Sequence, residues 1–327
     1  GTLSIVWGDP RPGLIGGHTR FEIVRADGSK VAARFAPEDR AAAFAAFGKR
    51  VAVEGSTETT DAGTVHFTAQ RLERLDPVES AGIDAPAALK TRKVLYILLK
   101  YKSDTQTPHT PAFFDALTNP KTGNATLKIP ASINGYFDKT SWGQLQWQGT
   151  VAGNKWFTLP KTKTGYANCG WSGGCADLDQ IAADGIALVK AAGVNVALYD
   201  NLSFVINNDL DCCAWGGSYV YGGKVFGATW EPPWAQETGT YIHEYGHSIG
   251  LPHSGWRYYA YDSPWDDMSG GSTTTSQTCG SYKSANTGNT TQPISCTEPG
   301  GGYIAAHKNQ LRWLPSANPR TISTKTT

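Results

Sequence analysis

The chain has 327 residues, 40% hydrophobic and 17% charged, with 29 Lys and Arg against 28 Asp and Glu for a formal charge of +1. That balance gives no electrostatic reason for a nucleic-acid partner or an anionic membrane surface, and the apolar content excludes a disordered chain. The longest wholly apolar run, residues 94–99, is far too short to span a bilayer, so no membrane insertion is expected.

Residues 1–77 have their own texture, rich in Ala and Arg and without Cys. Alternating stretches at 19–24, 30–35, 50–55 and 64–69 predict half-buried strands, and Asp27-Gly28 turns the first into the second. Residues 37–47 read as one short helix with Pro, Glu and Asp in its first turn. This pattern suggests a small all-β, OB-like N-terminal domain with a scaffold or substrate-positioning role. Residues 78–92, rich in Pro, Gly and Ala, read as a linker to a second domain over 93–327.

In that second domain, buried strands are predicted at 93–101 and 202–206, and amphipathic helices at 111–117 and 176–192. Residues 215–230 form a Gly-rich pair of strand-like pieces, and a helix follows over 235–249. Residues 269–302 read as a long Gly/Ser/Thr/Asn loop, and a last helix spans 303–314. The whole is an α+β chain.

All six cysteines, Cys169, Cys175, Cys212, Cys213, Cys279 and Cys296, lie in the second half, and no CxxC pair occurs. Disulfides that staple loops in an oxidising compartment are the expectation, which makes the protein secreted. A trans peptide holds adjacent side chains apart, so Cys212 and Cys213 are expected to reach back to Cys169 and Cys175, leaving Cys279 to pair with Cys296.

The chemistry concentrates in His243-Glu244-Tyr245-Gly246-His247-Ser248-Ile249-Gly250-Leu251-Pro252-His253. On a helix, His243 and His247 share one face, so two imidazoles can reach one zinc at about 2.0–2.1 Å. Glu244 stands beside them and can take a proton from a metal-activated water. Gly250 ends the helix and Pro252 cannot continue it, so His253 can swing back as a third ligand.

HExxHxxGxxH resembles the signature of the metzincin zinc endopeptidases. That clan places a methionine turn below the metal, and the only methionine of this chain is Met268, in Asp266-Asp267-Met268-Ser269-Gly270. The histidine stretch, this turn and residues 308–314 look most like the gametolysin-type peptidases. The resemblance implies one catalytic Zn2+ on His243, His247 and His253, Glu244 as general base, and Met268 under the metal. It also implies a twisted mixed sheet with an active-site helix, followed by a C-terminal subdomain holding the Met-turn and last helix. Its edge strand over the cleft falls on residues 222–229, with Gly223, Lys224, Val225, Phe226 and Gly227 as substrate-binding residues. No tyrosine follows Met268 by two residues, and Tyr258, Tyr259 and Tyr261 are assigned to packing. A cysteine cap on the metal from residues 1–77 is excluded, since they contain none.

Asn207, Asn208, Asp209 and Asp211 are the only Ca2+ candidate, and without EF-hand spacing a solvated acidic turn is the better reading. The expected function is a secreted, monomeric zinc endopeptidase acting on proteins or peptides. The alternative is a non-catalytic extracellular zinc-containing binding protein on the same scaffold. A thermolysin-type site with a downstream glutamate as third ligand is the rival within enzymes.

Overall fold

A computed structural model describes residues 1–11, 17–59, 65–76, 90–171, 174–254, 261 and 263–314. The chain opens with strands β1 (Thr2–Pro10), β2 (His18–Val24) and β3 (Lys30–Arg34), helix α1 (Arg40–Ala45), and strands β4 (Val51–Thr59) and β5 (Val65–Arg74). Strand β6 (Lys90–Lys100) follows, then helices α2 (Pro111–Thr118) and α3 (Ile133–Thr140) and the long β7 (Leu145–Thr158). Next come β8 (Ala167–Trp171), β9 (Gly174–Ala176), α4 (Leu178–Ala191), β10 (Asn201–Ile206), β11 (Cys213–Tyr221) and β12 (Lys224–Glu231). Helix α5 (Thr238–Ser248), strands β13 (Ser272–Ser284) and β14 (Thr290–Pro299), and α6 (Ala305–Gln310) complete the order.

Strand β10 is an interior strand of the large sheet. Every one of its residues is buried, and parallel neighbours β6 and β12 flank it, the environment in which an uninterrupted apolar strand is stable. Along β6, side chains alternate between two cores. Leu95, Ile97 and Leu99 meet Ile181, Ile186 and Val189 of α4. Val94, Tyr96 and Leu98 face Phe113, Phe137, Tyr241 and Tyr245 from α2, α3 and α5. Asp177 starts α4 by accepting the Gln180 amide hydrogen at 3.0 Å.

The full sheet has ten strands in the order β4-β5-β3-β2-β1-β11-β12-β10-β6-β7. Strand β11 runs antiparallel to β12, and β1 runs antiparallel to β11. Strand β1 therefore serves two neighbourhoods. Leu3, Ile5 and Trp7 pack with Phe21, Phe35, Ala43 and Val51 in an N-terminal core. Thr2 bridges Arg50 at the head of β4, which brings the run β1-β2-β3-β5-β4 back on itself. On its other side, residues 6–10 pair with 213–217 of β11, while residues 2–8 pair with β2.

Several expectations are corrected. Residues 269–302 are not a loop but the β13–β14 hairpin, because Thr-rich segments suit an extended chain even when they are polar. Gly288 and Asn289, both at positive φ, lie at its turn, and the Cys279–Cys296 disulfide crosses it as expected, with Cα atoms 5.7 Å apart. The last helix is shorter than 303–314 and stops at Gln310, with Arg312 at φ +58°. Cys212 and Cys213 bond to each other, at the bend where the Asp211 carboxylate accepts the Cys213 amide hydrogen just before β11. Cys175 is also disulfide-bonded, while the side chain of Cys169 lies outside the described residues. Among the described residues no helix is long and apolar enough to cross a membrane.

Candidate metal centre

Helix α5 begins where Glu237 accepts hydrogen bonds from the amides of Gly239 (2.9 Å) and Thr240. The same carboxylate takes the Thr297 amide and hydroxyl at 2.9 and 2.6 Å, which pins the helix start to β14. The helix ends at Gly250, whose φ of +96° few other residues tolerate, and Leu251 donates back to the Gly246 carbonyl at 3.0 Å. That reversal returns His253 to the face carrying His243 and His247.

Two second contacts fix the imidazoles. His243 donates Nδ1–H to the Asp267 carbonyl at 2.6 Å, and His247 donates Nδ1–H to the Leu251 carbonyl at 2.7 Å. In its neutral form each ring presents a bare Nε2 inward. His247 Nε2 lies 3.2 Å from His253 Nε2.

A fourth residue joins them that sequence reasoning missed. Asp9 of β1 places Oδ1 2.7 Å from His253 Nε2 and 3.3 Å from His243 Nε2, and Oδ2 3.3 Å from His247 Nε2. One ligand atom from each of the four lies within 4.8 Å of the others. Among the described residues, His243 Nε2 and Asp9 Oδ2 are buried without a hydrogen-bond partner. Lone pairs converging in a dry site repel one another unless a cation or proton sits among them, so these residues fit a metal ion. Burial opposes ionisation of Asp9, but the His253 and His243 imidazoles outweigh it and hold the carboxyl well below its usual range. Burial pushes His247 down to about 3, so its ring is kept neutral, the form that ligates.

Glu244 is fully buried, and among the described residues neither of its oxygens meets a hydrogen-bond donor. Burial first, then the charges of Asp9 and Glu231, push its carboxyl well above the ordinary range. Glycines make this crowding possible. A Cβ at residue 216 would stand 2.5 Å from the Glu244 carbonyl oxygen and 2.6 Å from Oε2, and one at Gly8 would stand 2.5 Å from the Trp215 ring. Trp7 stacks on the His247 ring at 4.7 Å and 8°.

Below α5, Met268 is wholly buried among Tyr241, Tyr245 and Tyr303. Its turn is tied down on both sides. Asp266 pairs with His307 at 3.0 Å, and Asp267 accepts the Gly300 and Gly302 amides, each at 3.0 Å.

The structure also revises lesser assignments. Lys224–Glu231 is not an edge: the Gly222-Gly223 turn folds β11 onto one side of it while β10 holds the other, so Gly223, Lys224, Val225, Phe226 and Gly227 present no free strand edge. Lys224 Nζ is spent on the carbonyls of Ala197 and Tyr199 at 2.8 and 2.6 Å. Tyr261 does more than pack, since its hydroxyl donates to Asp9 Oδ1 and its ring lies 5.2 Å from that of His253. Tyr258 and Tyr259 lie outside the described residues. In the acidic turn, Asp209 accepts from Tyr282 (2.9 Å), Ser284 (2.6 Å) and the Asn286 amide (3.1 Å). Asp211 serves Ala176, Cys213 and Trp215. The oxygens of both aspartates are thus spent on hydrogen bonds within the chain. Among known proteins, no family model matches this chain and no curated protein matches it.

Proposed function

We propose that the chain is a secreted zinc endopeptidase of metzincin type, with an OB-like N-terminal unit before the catalytic one. The observation that carries this is Glu244, a buried carboxyl group without a donor, set against a histidine-rich metal group. A purely structural metal site has no need of such a group, and burying one without a partner is costly. His243, His247 and His253 would hold the ion. When bound, zinc supplies a Lewis acid for the scissile carbonyl and lowers the pKa of a water molecule.

The chain's own residues do the rest. Glu244 takes the proton from the attacking water and returns it to the leaving nitrogen, a role that suits a carboxyl whose proton affinity burial has raised. The Tyr261 hydroxyl, aimed at the centre of the cluster, donates to the developing oxyanion. An extended substrate would need the side of β11 that β1 holds in this fold, and strand addition there favours cleavage within chains over trimming of ends.

Asp9 favours a second reading. Four protein ligands make a closed site, as structural metals prefer, and the chain would then be a non-catalytic binding protein. Glu244→Gln separates the two. With Asp9 replaced in both chains, the peptidase reading expects stoichiometric zinc in the variant and casein cleavage lowered by orders of magnitude. Unchanged zinc with no cleavage by either protein, once Asp9 has also been replaced, supports the binding protein.

A further inference from the structure

We infer that residues 6–10 of β1 occupy the cleft in the place of substrate and that Asp9 fills the ligand position catalysis needs open, so the chain in this fold is latent. This rests on the peptidase reading above.

Strand β1 pairs with β2 from Thr2 to Gly8 and runs two residues further, to Asp9 and Pro10. Its first residues close the N-terminal strands through Thr2 and Arg50, whereas residues 6–10 run out along β11, antiparallel and in register from Val6↔Gly217 to Pro10↔Cys213. That is the strand-addition geometry an extended peptide uses. The fit is close. Gly217 cannot carry a side chain, since its Cβ would lie 2.1 Å from the Ile5 carbonyl oxygen. Ser4 donates to the Ser218 carbonyl at 2.9 Å, and Val6 leaves the N-terminal core to pack in that of the catalytic unit.

The chain then delivers Asp9 to the three histidines and brings Gly17 back over them, where a Cβ would be 3.2 Å from His253 Cε1. Polar ties hold the two units together. Lys30 bridges Glu22 and Asp179, and the Arg20 guanidinium lies 4.1 Å over the Trp215 ring. A bound peptide and β1 need the same edge of β11, and a water at the metal needs the position of the Asp9 carboxylate. Both cannot be present together.

The test uses the full chain loaded with cobalt(II) in place of zinc, with acetohydroxamate as a small ligand for an open coordination position. The wild-type visible spectrum is expected to be indifferent to hydroxamate. The Asp9→Asn chain, which keeps the side-chain shape but loses the charge, should bind one cobalt and show bands that shift on titration, and Asp9→Ala repeats the measurement without the shape. Adding Val6→Glu to Asp9→Asn replaces an apolar side chain of the core by a buried carboxylate, in a pocket lined by Glu22, Asp177 and Asp179 as well as Arg20 and Lys30, and weakens β1. Hydrolysis of an end-blocked peptide by zinc-loaded chains should then rise in the order wild type, Asp9→Asn, double variant, each step about ten-fold or more. A wild-type chain that takes up hydroxamate freely, or that hydrolyses peptide as fast as the double variant, overturns latency while leaving the metal site standing. A chain that binds no cobalt, with or without His247→Ala, overturns the metal reading and this inference with it.

Discussion

Gly246 rests on the thioether of Met268, where a Cβ on residue 246 would stand 2.2 Å from Sδ and 3.0 Å from the Tyr303 hydroxyl. The glycine sits inside α5 between two metal-facing histidines, in a position where helix propensity alone favours alanine by about 1 kcal/mol. Packing overrides propensity there, because the methionine must come that close to support the helix floor.

Gly246→Ala is therefore expected to destabilise the protein by about 1–3 kcal/mol in spite of its better helix propensity. Urea unfolding of the metal-loaded chain measures this. A variant as stable as the wild type would mean that Met268 moves aside at no cost and that the contact does not support α5.

Gly216 makes a similar prediction for chemistry. Its Cβ would overlap the Glu244 carbonyl oxygen as well as Oε2, so Gly216→Ala should push this turn of α5 and its carboxylate from their place. Turnover per bound metal is expected to fall about 100-fold, the usual penalty for a misplacement near 1 Å. The comparison is made in the Asp9→Asn background, where the site is open. Normal turnover in a metal-replete variant would show that Glu244 need not stand where this structure has it.

How much of this was readable beforehand follows from how local each signal is. His243, Glu244, His247 and His253 were legible because helix period and one glycine break lie within a single segment. Met268 came from its uniqueness and Cys279–Cys296 from their bracketing of one polar stretch. Asp9 was not legible: it stands 244 positions from His253, and only the pairing of β1 with β11 brings them together. Tyr261 likewise gains its role from Asp9. The supposed edge at β12 failed because composition marks a Gly-rich hairpin without saying which of its strands lies outward. The low hydrophobicity of the β13–β14 segment hid a hairpin whose polar residues alternate over an exposed face. The vicinal Cys212–Cys213 bond ran against a sound general expectation and depends on the bend at Asp211.

His109 gives a pH dependence away from the metal. The ring is buried, stacks on Phe113 at 3.6 Å, has no partner at Nε2, and is pushed down to about 3 by burial. An unfolded chain protonates this imidazole near 6.5, so between the two values the unfolded state holds the extra proton. Stability from this residue is complete above that range and falls by up to about 1.4 kcal/mol per pH unit on acidification towards 3. His109→Leu should flatten the unfolding free energy against pH between 6 and 4, by roughly that slope. Parallel curves for the two proteins would mean that His109 titrates normally in the fold.

Tyr261→Phe tests the last assignment. The hydroxyl donates to Asp9 Oδ1, the oxygen that also approaches His253 and His243, and the Tyr261 ring lies 6.4 Å from that of His243. With Asp9 out of the way, the same hydrogen bond is available to a substrate oxygen, and it is worth most when that oxygen carries charge. Such a donor acts on the transition state more than on the bound ground state. In the Asp9→Ala background, the phenylalanine variant should lose about 100-fold in kcat, the scale seen when one oxyanion donor is removed. KM should stay within about three-fold, because uniform binding is barely touched. Metal content and unfolding midpoint serve as controls. Equal kcat with and without the hydroxyl would reduce Tyr261 to a partner of Asp9 alone, and a large rise in KM at constant kcat would make it a substrate-binding group.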